Sequence, residues 1–372
     1  MVQHTFFVDS DINKAETLPS AFYDSDVVFE RLRTAVFKNA WHWIGPDIEG
    51  PKQPQDNVFP LTLMQGFLDE PLLLVRQNDA TVACLSNVCT HRGNLLVDAP
   101  CKLRQLVCGY HGRQFNIDGS FKSMPEFEGV TDFPRPCDDL KKHPLLNWGG
   151  HRFVGINPSF MLNSLFRILD ERVGFLPVHA FTHQPGPEQR YSVDAHWALY
   201  CDNYLEGFHI PFVHASLNTE VDYDAYETVL FDSGNLQIAY ARNDASIFDL
   251  PENHVDFGKK ISAYYFWLFP NLMLNFYPWG LSVNVVEPVS KTKSNVLFKS
   301  YIYDQSKMHQ GAGADLDLVE KEDEDIVASV QKGIQSTGYT TGRFSPSREK
   351  GVHQFHCMLS KILSESELVQ NH

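Results

Sequence analysis

The sequence predicts an α+β protein built from an all-β domain and a second domain in which long strands are followed by helices. Two observations carry this. Between Trp41 and about Pro158 the chain runs in short β-like stretches separated by Gly, Pro and Asp, whereas strand-like runs dominate 226–304 and helical patterns return after Ala314. With 372 residues, one or two domains and a large core are expected. The division read here is an N-terminal arm and helix over 1–40, a β domain over 41–158 and a mixed domain over 159–372.

Taken in order, residues 24–40 read as a helix with Asp24, Ser25 or Asp26 as N-cap and Val28, Phe29, Leu32, Val36 and Phe37 on one stripe. That stripe is expected to bury on the domain built by the second half of the chain. Strand-like runs follow at 72–76, 81–86, 103–107 and 152–156. A helix is expected over 164–173, then a proline-rich passage at Pro185-Gly186-Pro187, then a helix carrying Trp197, Tyr200, Cys201 and Tyr204. Residues 261–286 contain no charge, as a membrane span would, but Pro270, Pro278, Asn271, Asn275 and Asn284 interrupt them and aromatics fall on both parities. They read as two buried strands broken at Pro270-Asn271, with another strand from Leu281. Near the end, Ser345-Pro346 supplies a cap and a proline at the first helical position, ahead of an apolar stripe at Val352, Phe355, Leu359, Ile362 and Leu363.

The formal charge of −15 makes nucleic acid and anionic membrane surfaces poor partners. Residues 1–7 lack the basic flank and apolar core of a signal peptide. Of seven cysteines, Cys84, Cys101, Cys137, Cys201 and Cys357 show no disulfide-like spacing and read as buried free thiols, which fits a reducing cytoplasm.

Chemistry concentrates first at Cys89-Thr90-His91-Arg92-Gly93 and Cys108-Gly109-Tyr110-His111-Gly112. Two thiolates and two imidazoles suit either zinc or a Rieske [2Fe–2S] cluster. Zinc sites usually pair like with like along the chain. Here each corner contributes one Cys and one His, which lets one iron take both thiolates and the other both imidazoles. Both corners are expected at loop tips.

The second concentration is Asn203-Tyr204-Leu205-Glu206-Gly207-Phe208-His209-Ile210-Pro211-Phe212-Val213-His214. Histidines five apart on an unbroken helix would diverge, so Pro211 is read as the break that brings His214 round to His209. By themselves they fit core or capping histidines equally well. A third donor is sought on the helix over about 315–334, whose apolar face is marked by Leu316, Val319, Ile326, Val327, Val330 and Ile334. Asp323 falls inside that stripe and Asp325 nearly opposite. A carboxylate on a buried face needs a partner or a metal; a buried salt bridge is the alternative. His209, His214 and Asp323 together would form a 2-His-1-carboxylate triad with open positions on Fe(II).

The C-x-H-R-G…C-x₂-H-G pattern resembles the terminal oxygenase (alpha) subunits of Rieske non-haem iron oxygenases, with Gly109 and Arg113 where those proteins often have Pro and Trp. The second motif is similar to their N-x-x-[D/E]-x-x-H-x₄-H pattern, matched by Asn203, Glu206, His209 and His214, with Asp323 as the later aspartate. The resemblance implies a Rieske domain and a helix-grip (START/Bet v1-like) catalytic domain with a large antiparallel sheet and covering helices. It implies a [2Fe–2S] cluster on Cys89, His91, Cys108 and His111, and mononuclear Fe(II) on His209, His214 and Asp323. It further implies a head-to-tail homotrimer in which Glu206 bridges to a cluster histidine of the neighbouring chain. No G-x-G-x-x-G unit or second Cys cluster is present, so electrons are expected from a separate flavin/iron–sulfur reductase.

Glu206, with Val330-Gln331-Lys332-Gly333, Gly342-Arg343 and Arg348-Glu349, looks similar to the oxygenases of choline, betaine and carnitine. The expected function is O₂-dependent hydroxylation or oxidative demethylation of a small substrate, for which a quaternary ammonium group held on aromatic faces is physically sensible. Aromatic-ring cis-dihydroxylation is the alternative. A Rieske electron-transfer protein without oxygenase activity is the alternative of another class.

Overall fold

The computed structural model of the chain describes residues 6–46, 56–77, 81–184, 189–242 and 246–370. The Pro185-Gly186-Pro187 passage and the first five residues lie outside them. Contacts divide the chain into two units, Lys38–Pro158 on the one hand, and on the other the residues up to Phe37 together with those from Ser159 onward.

The Lys38–Pro158 unit is all β. Trp41–Gly45, His151–Gly155 and Leu145–Trp148 make one antiparallel sheet. A second holds Val58–Leu63, Glu70–Arg76, Val82–Ser86 and Lys142–His143. Gln105–Val107, Gln114–Asn116 and Phe121–Ser123 form the third. Val58, Leu73, Val75, Leu85, Leu106 and Phe115 from these strands share one core, and Cys89 and Cys108 belong to it.

In the other unit, the helix Asp26–Ala35 starts at Ser25, whose side chain accepts from the Val28 N–H. Its stripe Val28, Phe29 and Leu32 is buried, and Phe37 follows into the core against Trp197, with ring centroids 4.9 Å apart. An eight-stranded antiparallel sheet runs in the order Thr182–His183, Lys293–Ile302, Gly280–Ser290, Leu272–Tyr277, Ile261–Leu268, Gly234–Tyr240 and Glu227–Phe231, and Gln189–Val193 also pairs with Lys293–Ile302. The three strands between Ile261 and Ser290 are buried on both faces along most of their length, which is why aromatic and apolar residues occupy both parities there. Among the described residues no helix is long and apolar enough to cross a membrane.

The closing helix, Lys350–Gln370, sets Phe355 against Trp197 and Trp267 at 5.6 and 5.1 Å. It starts later than Pro346 leads one to expect. Ser345 O instead accepts from Arg348 and Glu349 N–H, closing a turn over Pro346, and the helix begins when the His353 N–H reaches Glu349 O. The expectation of buried thiols also needs correction outside the cluster corners: Cys84 and Cys201 are buried, Cys101 and Cys357 are half-buried, and Cys137 is exposed.

Candidate metal centres and the adjoining cavity

The two Cys/His corners are built to one backbone plan. Cys89 N–H donates to Asn94 O and Gly93 N–H returns to Cys89 O; Cys108 N–H donates to Arg113 O and Gly112 N–H returns to Cys108 O. Each loop closes on a glycine in the left-handed region, Gly93 at φ 75° and Gly112 at φ 73°, where a side chain would be strained. Both thiols are buried while His91 and His111 are half-exposed, with imidazole centroids 4.9 Å apart. Burial pushes the Cys89 thiol up. At Cys108 burial is outweighed, chiefly by N–H groups of Tyr110 and His111 and by contacts from Cys89 and Asn94, so that thiol is held below its usual range.

The donor set fits a Rieske cluster, with both thiols buried, both imidazoles half-exposed, and the buried Nδ1 of His111 without a hydrogen-bond partner among the described residues. Arg113, which stands where tryptophan is common, is 2 % exposed and lies within 6 Å of the ring centroids of Phe115, Phe121 and Phe133. Its guanidinium pairs with the Asp138 carboxylate at 2.7 Å, while Asp138 O accepts from Thr90 Oγ1 at 2.8 Å. One residue thus ties both ligand loops.

In the other unit the helix Trp197–Tyr204 ends at Leu205, and a one-turn helix, Ile210–Val213, lies between the two histidines. The break falls at 205–208 and not at Pro211, which sits in the first turn, where a missing N–H costs nothing. His214 turns inward because its own backbone leaves the helical region, at φ −107° and ψ 78°. Gly207 is required at the turn, since a Cβ there would stand 2.9 Å from the Tyr226 ring.

The outcome is a convergence of His209, His214 and Asp323, whose ligand atoms lie within 4.8 Å of one another. The Nε2 atoms of the two histidines are 3.1 Å apart, and Asp323 Oδ1 is 3.1 Å from His214 Nε2 and 3.6 Å from His209 Nε2. The outer nitrogens are held: His209 Nδ1 lies 2.7 Å from Glu206 Oε1 and His214 Nδ1 2.7 Å from Glu322 Oε2. With each Nδ1–H donated to its carboxylate, two nitrogen lone pairs and a carboxylate oxygen face one point, an arrangement that fits a divalent metal. Burial works against a proton on His214, but Asp323 and then Glu322 outweigh it and hold its pKa above the ordinary range. The same field favours a cation. Asn203 donates to Asp323 Oδ1 from the other side.

Glu206 is engaged within its own turn, since its second oxygen accepts from the Phe208 and His209 N–H groups. On the 316–334 helix the inward face is Leu316, Val319, Glu320, Asp323, Val327, Gln331 and Ile334. Ile326 and Val330, read from sequence as part of it, are exposed. Asp325 is exposed, opposite Asp323. The sequence reading missed Glu320 and Glu322. The former was legible, because 316, 320, 323, 327, 331 and 334 keep helical spacing once polar residues are admitted.

The three donors help line a cavity of about 90 Å³ walled by Tyr204, Tyr226, Tyr265 and Tyr277, with Glu320 and Asn284 also in its lining. Glu320 accepts from the Tyr200 hydroxyl and, at 3.1 Å, from Asn284 Nδ2. Burial and the Asp323 carboxylate nevertheless push it up to about 8.

Comparison with known proteins finds a domain of known type over each of the two regions. Residues 56–134 match the Rieske [2Fe–2S] domain and residues 182–365 the ring hydroxylating alpha subunit (catalytic domain). The chain is 25 % identical to a chloroplastic choline monooxygenase of Beta vulgaris over 97 % of its own length and 80 % of that protein's. It is 26 % identical to the carnitine monooxygenase oxygenase subunit of Escherichia coli (strain K12) over 95 % of each. Among solved structures, a quaternary ammonium Rieske monooxygenase matches with a TM-score of 0.71 at 22 % identity, covering 96 % of this chain and 100 % of that one. Naphthalene 1,2-dioxygenase from Rhodococcus sp. matches with 0.67 at 16 % identity, covering 94 % and 95 %.

Proposed function

Since the chain belongs to the Rieske-type ring-hydroxylating oxygenase alpha subunits, we propose that it hydroxylates or oxidatively demethylates a small substrate carrying a quaternary ammonium group. It is an oxidoreductase that incorporates molecular oxygen, with a Rieske cluster and a mononuclear iron as its cofactors. The observation that carries the substrate reading is the set of four tyrosines around a cavity that opens on His209, His214 and Asp323.

Cys89, His91, Cys108 and His111 would hold the cluster, and His209, His214 and Asp323 the mononuclear iron. When bound, these groups supply stored electrons and the activation of dioxygen. The protein's own residues do the rest. Glu206 and Glu322 keep a proton on each Nδ1 and so keep both Nε2 atoms turned inward. Asn203 fixes the Asp323 carboxylate through Oδ1. Tyr204 and Tyr226 turn their hydroxyls to Asn275 at 2.6 Å and Gln237 at 3.1 Å, so the wall donates little to a substrate and offers aromatic surface that a methylated cation favours.

Electrons are proposed to come from a separate reductase, because the sequence contains no nucleotide-binding glycine motif. A head-to-tail homotrimer is proposed, in which Glu206 also faces a cluster histidine of the neighbouring chain. A reducing, cytoplasmic setting is supported by the five cysteines outside the cluster corners, Cys84, Cys101, Cys137, Cys201 and Cys357, which are all free thiols. The test is substrate-triggered O₂ uptake by the iron-loaded protein with a surrogate reductase, across quaternary amines and aromatic acids. Uptake on quaternary amines is expected. Uptake on aromatic acids alone would favour cis-dihydroxylation, and two irons per chain with no high-spin Fe(II) would favour a pure electron carrier.

A further inference from the structure

The charge around the cavity is one-sided. Among the described residues no lysine or arginine lines it, whereas Glu206, Glu320 and Asp323 do. Glu206 orients His209, and Asp323 belongs to the metal donors, so each has a part in the metal centre. Glu320 has none: among the described residues its carboxylate is met only by the Tyr200 hydroxyl and the Asn284 amide. A carboxylate in such a place is costly, and by itself this one has its pKa pushed up to about 8; a cation beside it offsets that cost and favours the ionised form.

A second cavity, of about 450 Å³, adjoins the first, and Leu316 and Glu320 line both. Among the described residues it too has no lysine or arginine, and it adds Asp315, Asp317 and His309. Anything that reaches the three donors while extending past this partition meets carboxylates at both ends of its path. The first cavity, at about 90 Å³, has room for little more than one ammonium head.

We propose that Glu320 is a specificity-determining residue and that the substrate is an alkylammonium cation whose remainder is neutral, an amino alcohol or alkylamine, not a zwitterion bearing a carboxylate. The inference rests on the quaternary-ammonium reading above and narrows it. A carboxylated tail would lie against Glu320, Asp315 or Asp317 with His309 the one basic side chain in the described lining, and like charges placed together discriminate strongly between otherwise matched ligands.

The experiment is calorimetric titration of the iron-loaded full chain with a matched pair, butyltrimethylammonium and γ-butyrobetaine, alongside choline and carnitine. The cations are expected to bind on the order of 100-fold more tightly than their carboxylated counterparts. Glu320→Gln is expected to weaken the cations by about 10-fold and bring the ratio toward one, with iron content and cluster absorbance unchanged. Leu316→Arg, which places a cation at the partition, is expected to admit the carboxylated ligands. Equal affinity of the wild-type chain for the two members of a pair would overturn the proposal, and needs no variant to show it. So would a ratio unaltered in Glu320→Gln. If no ammonium compound binds while a neutral aromatic does, the quaternary-ammonium reading itself has failed.

Discussion

Asp323 and Asp325 stand two residues apart on one helix, and only the first turns toward His209 and His214. Asp323→Ala is therefore expected to lose the mononuclear iron and keep the cluster absorbance, while Asp325→Ala keeps both; metal analysis with a visible spectrum distinguishes them. Glu206→Gln is expected to leave both centres occupied yet slow electron transfer between them, read by single-turnover kinetics, because an amide no longer accepts the Nδ1–H of His209 as a charge does. His196 supplies a pH effect away from the iron ligands. It is fully buried among Phe22, Tyr23 and Phe29, and burial lowers its pKa to about 3. The folded form thus excludes a proton that the unfolded chain takes up near its ordinary pKa of about 6.5. Stability from this residue is complete above that value and falls by about 1.4 kcal/mol per pH unit as pH drops below it. His196→Asn keeps a cap acceptor for Ala198 N–H and is expected to flatten that slope in denaturant titrations between about pH 6.5 and 4.5.

At the scale of the element, periodicity revealed which helices and strands would form but not always which face each would bury. The 316–334 helix was recognisable, and the burial cost of a carboxylate singled out Asp323. Counting apolar residues then drew Ile326 and Val330 inward, when the inward face in fact mixes Leu316 and Val327 with Glu320, Asp323 and Gln331. A face that lines a polar cavity does not advertise itself by hydrophobicity. The 205–214 turn was misread for a different reason: Pro211 looks like a breaker, but its position in the first turn spares it that role. Strands from Ile261 to Ser290 were legible because prolines and asparagines interrupt an uncharged run that no membrane helix would interrupt so often. Phe355 tests the packing of the closing helix: Phe355→Ala removes the ring wedged between Trp197 and Trp267 and is expected to cost about 3–5 kcal/mol in chemical unfolding.

For the molecule as a whole, the two iron motifs were visible because cysteine and histidine are scarce and their arrangement is doubled, whereas the substrate was not. The cavity is lined by Tyr226, Tyr265, Asn284 and Glu320, residues of ordinary types brought together only by the sheet and the 316–334 helix. The catalytic unit also joins distant ends of the polypeptide. Ser360 donates to Phe6 O at 2.8 Å and Arg31 to Leu363 O at 2.6 Å, with Lys38–Pro158 lying between as one uninterrupted stretch. On the ribosome the cluster-bearing stretch is therefore whole long before its companion, which must wait for the last helix to emerge. Maturation follows that timetable: a chain stopped short of residue 350 should redden with its iron–sulfur chromophore and still fail to retain the lone iron.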